Sequence, residues 1–265
     1  MMLFRREWKA GRRSLLFWCI GVFLLMLAGM SKYSAAQASG QAMNDLMNRM
    51  PRSLQVIFGT SGFDLSQASG YFGTMFFYLL LLAAAHAVLL GASIIAKEER
   101  DKTSEFLFAK PLSRRAIVGW KLAAAFVQAL LVNATAWVSS LVSLSLYAPG
   151  EALGRPVAEL ILGLLLVQAL FLAASAAIAA GSRRPKQAVA FSGTLLFAAF
   201  LLSLLTELSD RLTVLRVFTP FQYVSAHRIL NGDGPELGLL GLALVLTALL
   251  LALALRGMGK RDLQG

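Results

Sequence analysis

The sequence predicts an all-α integral membrane protein with six transmembrane helices and both termini in the cytoplasm. Three observations lead there. The 265-residue chain is 57% hydrophobic and only 15% charged, where a soluble domain carries roughly 25% charged residues. Six stretches meet or approach the about 20 apolar residues a helix needs to cross a hydrocarbon core about 30 Å thick. They are 14–30, 71–96, 122–148, 157–181, 188–206 and 237–255, none with the strict alternation of a barrel strand. Finally, the charge is sorted by segment. Residues 1–13, 97–121, 182–187 and 256–265 hold 18 basic and 6 acidic side chains, whereas 31–70, 149–159 and 207–236 hold 7 and 8. A balance of +12 on one side and −1 on the other accounts for the whole net charge of +11. Lysine and arginine mark the cytoplasmic face. The basic balance is therefore a topology signal rather than a nucleic-acid surface, and residues 1–265 read as one transmembrane domain.

The amino end imitates a secretory signal, with "RREWKAGRR" as charged leader, an apolar core, and small residues in "YSAAQA". The apolar run is longer than the usual 7–15 residues, and cleavage would leave five spans, so the first span is expected to be retained. Before it, Leu3, Phe4 and Trp8 alternate with Arg5, Arg6, Lys9, Arg12 and Arg13. That pattern predicts a short helix in the headgroup layer with snorkelling cations.

In the outer loop 31–70, Met43, Leu46, Met47 and Met50 form an amphipathic helical stripe that Pro51 interrupts. The second outer segment, 207–236, is too polar to span but carries Phe218, Phe221, Tyr223 and Ile229. Short helices dipping into the interface are expected, with Asn231-Gly232 and Asp233-Gly234 as turns. Both loops could contact cargo or simply cap the bundle.

The inner loop 97–121 interrupts the apolar pattern most sharply. Asp101 can cap a helix whose first turn holds Glu105, at the positive helix end. Pro111 ends that helix, having no backbone N–H and biasing Lys110 away from helical geometry. Ser113 can then cap a helix that Arg114 opens and Lys121 carries into the membrane. The outcome is a short helix presenting Phe106, Leu107 and Phe108, suited either to docking in a partner's groove or to resting on lipid headgroups.

Enzymatic readings find little support. Cys19 is the one cysteine, so no intramolecular disulfide is possible and no metal cluster is suggested. "RGMGKRD" at 256–262 lacks the spacing and hydroxyl of a phosphate-cradling loop. "GTSG" at 59–62 resembles the G-x-S-G of rhomboid-like proteases, but Ser61 would need a base within reach. His86 lies mid-span and His227 in a distal loop. The E-E-x-x-x-R of glutamic membrane proteases fails because Thr103 stands where arginine is required. No catalytic residue and no metal ligand is assigned. Polar groups inside spans are costly and should face the bundle or a cavity. His86, Gln128, Asn133 and Gln168 are such candidates, as pathway residues or as interhelical glue.

"EERDKTSEFLFAKPLSRRAIVGWK" (98–121) resembles the inner-loop signature of the bacterial ABC type-two permease family, the membrane subunits of ABC exporters. The matching positions are Glu98, Glu99, Thr103, Glu105, Phe106, Leu107, Pro111, Ser113, Arg114 and Lys121; Lys102 stands where the family often has glycine. The likeness extends along the chain through "MPRSL", "TPFQYVSAHRILNG" and the closing "GKRDL". It implies a type-two permease architecture in a bacterial plasma membrane, and an inner loop acting as a coupling helix in the groove of a separate ATPase. Phe106 and Leu107 would be the knob, Glu105 a polar contact, and Pro111 with Ser113 the corner passing force into the third span. Glu99, Thr103 and Arg114 belong to the same contact. It further implies two ATPase copies holding ATP and Mg, with no cofactor in this chain, and a second permease half, identical or homologous. An ATP-independent carrier or channel and a membrane-bound assembly or sensor protein are the alternatives.

Overall fold

A computed structural model describes residues 2–100, 114–182 and 184–259. Helices α1 (Met2–Met30), α2 (Tyr33–Ser39), α3 (Gln41–Arg49) and α4 (Arg52–Ile57) precede the long α5 (Ala68–Arg100). Then come α6 (Arg114–Tyr147), α7 (Gly154–Gly181) and α8 (Pro185–Leu208). Two 3-10 segments, Asp210–Phe218 and Pro220–Gln222, lead to the short α9 (Ala226–Leu230) and the final α10 (Leu237–Gly259). No strand occurs among the described residues, and six helices are long and apolar enough to cross a membrane. The architecture is the all-α, six-span one that composition predicts.

The helices outrun the apolar runs. The 33 residues of α5 rise about 50 Å against a hydrocarbon core of about 30 Å. Charge ends the apolar pattern at Lys97 but not the helix, because lysine, glutamate and arginine are good helix formers. The same reason corrects the expectation for the amino end. Residues before the first span do not form a separate headgroup-layer helix but the opening turns of an unbroken α1. Phe4 and Trp8 pack on the core rather than standing apart from it.

Elsewhere the local signals hold. Pro51 separates α3 from α4, and Pro185 opens α8 at a position where its missing N–H costs nothing. Gly232 and Gly234 adopt φ of 92° and 70°, making the turns before α10. No residue of the α3 apolar stripe is fully buried: Met43, Met47 and Met50 are half-buried, and Leu46 stays exposed.

At the centre α7 packs against α5 on one side and α10 on another, while α1 lies along α6. Helices α5 and α7 approach closely at Gly91 of α5, where a Cβ would meet the Leu172 carbonyl oxygen at 2.5 Å and Ser175 Oγ at 2.2 Å. Only glycine lets the two backbones come so near. The outward faces of α1 (Leu16, Phe17, Ile20, Leu24) and α10 (Leu244, Val245, Leu249, Leu253) are apolar and exposed, as lipid contact requires.

Two ends of the bundle follow from the contacts. At the terminal end, Glu7 of α1, Lys97 of α5 and Lys121 of α6 lie close together, and Gly257 of α10 neighbours Ala180 of α7. At the opposite end, the Tyr71 hydroxyl donates to the Gly29 carbonyl oxygen, and Arg52 donates to that of Glu207.

Candidate functional site

The loop that the sequence marks connects α5 to α6, whose described ends lie at the terminal end. Thr103, Glu105, Phe106, Leu107, Pro111 and Ser113 lie outside the described residues. Glu99 falls in the last turn of α5, and Arg114 opens α6, where the helix start was expected. What can be built is the frame from which the loop departs. Lys121, only 3% exposed, donates from Nζ to the Ile94 carbonyl oxygen at 2.9 Å, tying α6 to α5. Lys97 donates from Nζ to Glu7 Oε2 at 3.5 Å, and Arg6 Nη2 donates to Glu7 Oε1 at 2.9 Å. Glu7 is itself 3% exposed. Both residues that bracket the loop are therefore held by the bundle, one through α1 and one through α5.

Glu7 was not among the sequence candidates, though a signal existed: it is the one acid among the first thirteen residues, which carry five cations. Charge-assisted bonds to a buried carboxylate are the strong kind. Glu7→Gln keeps the shape and removes the charge. It is expected to cost about 1–2 kcal/mol, because both cations remain partly solvated and screened. A lowered midpoint of thermal unfolding in detergent checks this; an unchanged one would show that the pair contributes nothing.

The intramembrane polar candidates do not converge on one site. Asn133 Nδ2 donates to Gln168 Oε1 and to the Ile161 carbonyl oxygen, both at 3.2 Å, joining α6 to α7. His86, on α5, meets Trp18 of α1 edge-on with ring centroids 5.2 Å apart. Gln128 of α6 lies under Gly11 of α1, where a Cβ would come within 2.7 Å of its amide. Each thus joins a pair of helices, the arrangement of interhelical glue. Gln168 Nε2 and His86 Nδ1 have no partner among the described residues.

At the opposite end, segments far apart in sequence close around a cavity of about 380 Å³. Its apolar floor includes Phe76, Phe77 and Leu80 of α5 and Phe221 of the 3-10 segment. Its rim carries Ser61, Glu207, Arg216, Ser225 and His227. Phe221 reaches this position because the segment after α8 folds back into the bundle, where it contacts Phe171 and Phe200 at centroid distances of 5.3 and 5.8 Å. Gln222 locks the return by donating to the Ser203 carbonyl oxygen at 2.9 Å and to Thr206 Oγ1 at 2.7 Å. The buried Tyr223 hydroxyl donates to the Val217 carbonyl oxygen, and burial raises its pKa above the usual tyrosine value.

His227, distant in sequence from Ser61, is thereby brought to the same cavity. No hydrogen bond joins the two among the described residues, and Ser61 lies instead beside the Glu207 carboxylate. The geometry gives Ser61 no histidine base.

Nearby, Asp64 organises the approach to α5. Its carboxylate accepts from Ser66 Oγ at 2.5 Å, from Asn44 Nδ2 at 2.5 Å, from the Ser66 amide at 3.0 Å and from Gln67 Nε2 at 3.0 Å. Ser66 and Asn44 foremost hold its pKa below the ordinary 3.8. A depressed carboxylate contributes stability above its unfolded value and loses it as pH falls through the folded one. Amide exchange at Leu65 and Ser66 should therefore quicken only below about pH 4. Exchange already quickened at pH 6, relative to the intrinsic rate, would contradict this.

Six apolar spanning helices, with the charged side chains gathered toward the two ends, define a multi-pass helical membrane protein. The family model described as "ABC-2 family transporter protein" matches residues 1–263, and the chain belongs to that family. As a member it is a permease subunit of an ABC transporter. No curated protein matches the chain.

Proposed function

We propose that the chain is the membrane half of an exporter in a bacterial plasma membrane, moved by a separate ATPase docked on loop 97–121. The terminal end faces the cytoplasm, as the charge asymmetry between its segments and the opposite ones supports. ATP and Mg belong to two copies of the partner ATPase, and a second permease half, identical or homologous, completes the pathway. Phe106 and Leu107 are the knob, Glu105 its polar contact, and Pro111 with Ser113 the corner. Glu99, Thr103 and Arg114 border the same contact.

The observation that carries this reading is the frame. A loop that transmits force needs ends that do not slide, and its bracketing residues are held by Glu7 on one side and by the Ile94 carbonyl on the other. Movement of the loop would then pull on α1, α5 and α6 together. The test is to capture tagged chain from native membranes in mild detergent. An ATPase subunit with vanadate-sensitive hydrolysis should co-purify. A folded chain that brings none would move an ATP-independent carrier to the front.

A further inference from the structure

We infer that the cavity between α5, α8 and the returning segment binds a zwitterionic amphipath: an apolar body bearing an ammonium and an anionic oxygen group. Three features of the site lead to this class.

The first is charge that is present but unmatched. Glu207 and Arg216 both line the cavity, yet no ion pair joins them among the described residues. Arg216 donates from Nη2 to Glu236 Oε1 at 3.2 Å and from Nε to Gln222 Oε1 at 3.2 Å. The same Glu236 oxygen also accepts from Arg228 Nη1 at 2.8 Å. One carboxylate thus serves two guanidiniums, and one positive charge is left over. Glu207 has the Ser61 hydroxyl beside it, and Arg52, whose charge lies nearby, spends its hydrogen bond on the Glu207 backbone carbonyl oxygen. A cation site and an anion site therefore stand on one cavity, held apart.

The second is the floor. Phe76, Phe77, Leu80 and Phe221 make it aromatic and aliphatic, and Leu80 lies twelve residues into α5, about 18 Å along the helix. The rim is polar and the depth apolar, which is the polarity of an amphipath standing upright. Phenylalanine faces also favour an ammonium group near them.

The third is size. About 380 Å³ falls within the range of small-ligand pockets, roughly 300–1,000 Å³. It fits a headgroup with the start of its chains, or a short apolar peptide with free termini, and it is too small for a folded domain. The shared chemistry has two sources, an aminophospholipid headgroup in the leaflet or a soluble zwitterion from the aqueous side.

The test uses the full chain purified in a neutral detergent and read by native mass spectrometry. The probes are dihexanoyl phosphatidylethanolamine, dihexanoyl phosphatidylglycerol as the anion without an ammonium, and the free dipeptide phenylalanyl-leucine. Wild type should prefer the ethanolamine lipid over the glycerol lipid by about tenfold, the scale of one charge-assisted hydrogen bond. Glu207→Gln, a change at an exposed rim position, should erase that preference. Ala226→Trp, which fills the cavity, should remove binding of every probe. If the dipeptide displaces the lipid, the source is soluble; if it does not while the lipid preference holds, the source is the headgroup. Equal binding of the two lipids by wild type together with no dipeptide binding, or a preference that survives Glu207→Gln, overturns the inference. No ATPase takes part in the measurement. A negative result would leave the permease reading standing, and a failed ATPase capture would leave this one standing.

Discussion

Gly91→Ala should lower the thermal midpoint of the detergent-solubilised protein more than the same methyl added to a span glycine that has open space around it. The new Cβ would sit 2.5 Å from the Leu172 carbonyl oxygen and 2.2 Å from Ser175 Oγ. The hydroxyl has little room to move, because Ser175 already donates to the Phe171 and Leu172 carbonyl oxygens at 2.8 and 3.1 Å. The carbonyl is backbone of α7 and moves only if the helix does. Overpacking of this kind costs about 1–3 kcal/mol, and here it acts on the contact between α5 and α7 at the middle of the bundle. Gly193→Ala is the matched control. It lies within α8 with nothing within 4 Å of the new atom, so it should be neutral or stabilising through helix propensity. Equal midpoints for the two variants would show that α5 and α7 have room to separate.

The second large effect is expected at loop 97–121, and it rests on the proposed docking of an ATPase there. Glu105→Lys combined with Phe106→Ala reverses a charge and removes an aromatic anchor, while leaving the six spans untouched. Truncating an anchor residue at an interface costs roughly 2 kcal/mol or more, at least about 25-fold in dissociation constant. The double variant should insert in the membrane at wild-type levels and lose its ATPase in the capture experiment. Normal transport by that variant would remove the coupling role from this loop.

The spans were legible because lipid imposes one rule on every backbone amide, which is to pair within its own helix. Apolar runs of the right length therefore mean helices, and all six appear. Proline and glycine carried the turns for equally local reasons, seen at Pro51, Pro185, Gly232 and Gly234. At the amino end charge marks the limit of the apolar run but not of the helix, because α1 only changes its surroundings there and continues. His227 and Ser61 are distant in sequence, and the return of Phe221 into the bundle puts both on one cavity. Nothing local encodes that meeting.

From residue order alone come the helical class, the six crossings, the charge asymmetry and the inner loop that resembles the family's coupling helix. Each depends on composition along a single segment, or on a balance between segments that needs no knowledge of their packing. Tertiary structure decided the partners. It brought Glu7 to Lys97, Lys121 to Ile94 and Gly91 against Leu172, and it set Glu207 and Arg216 on one cavity. Such pairs depend on which helix faces come together, and helices that are apolar all round carry no periodic mark of the face they will bury.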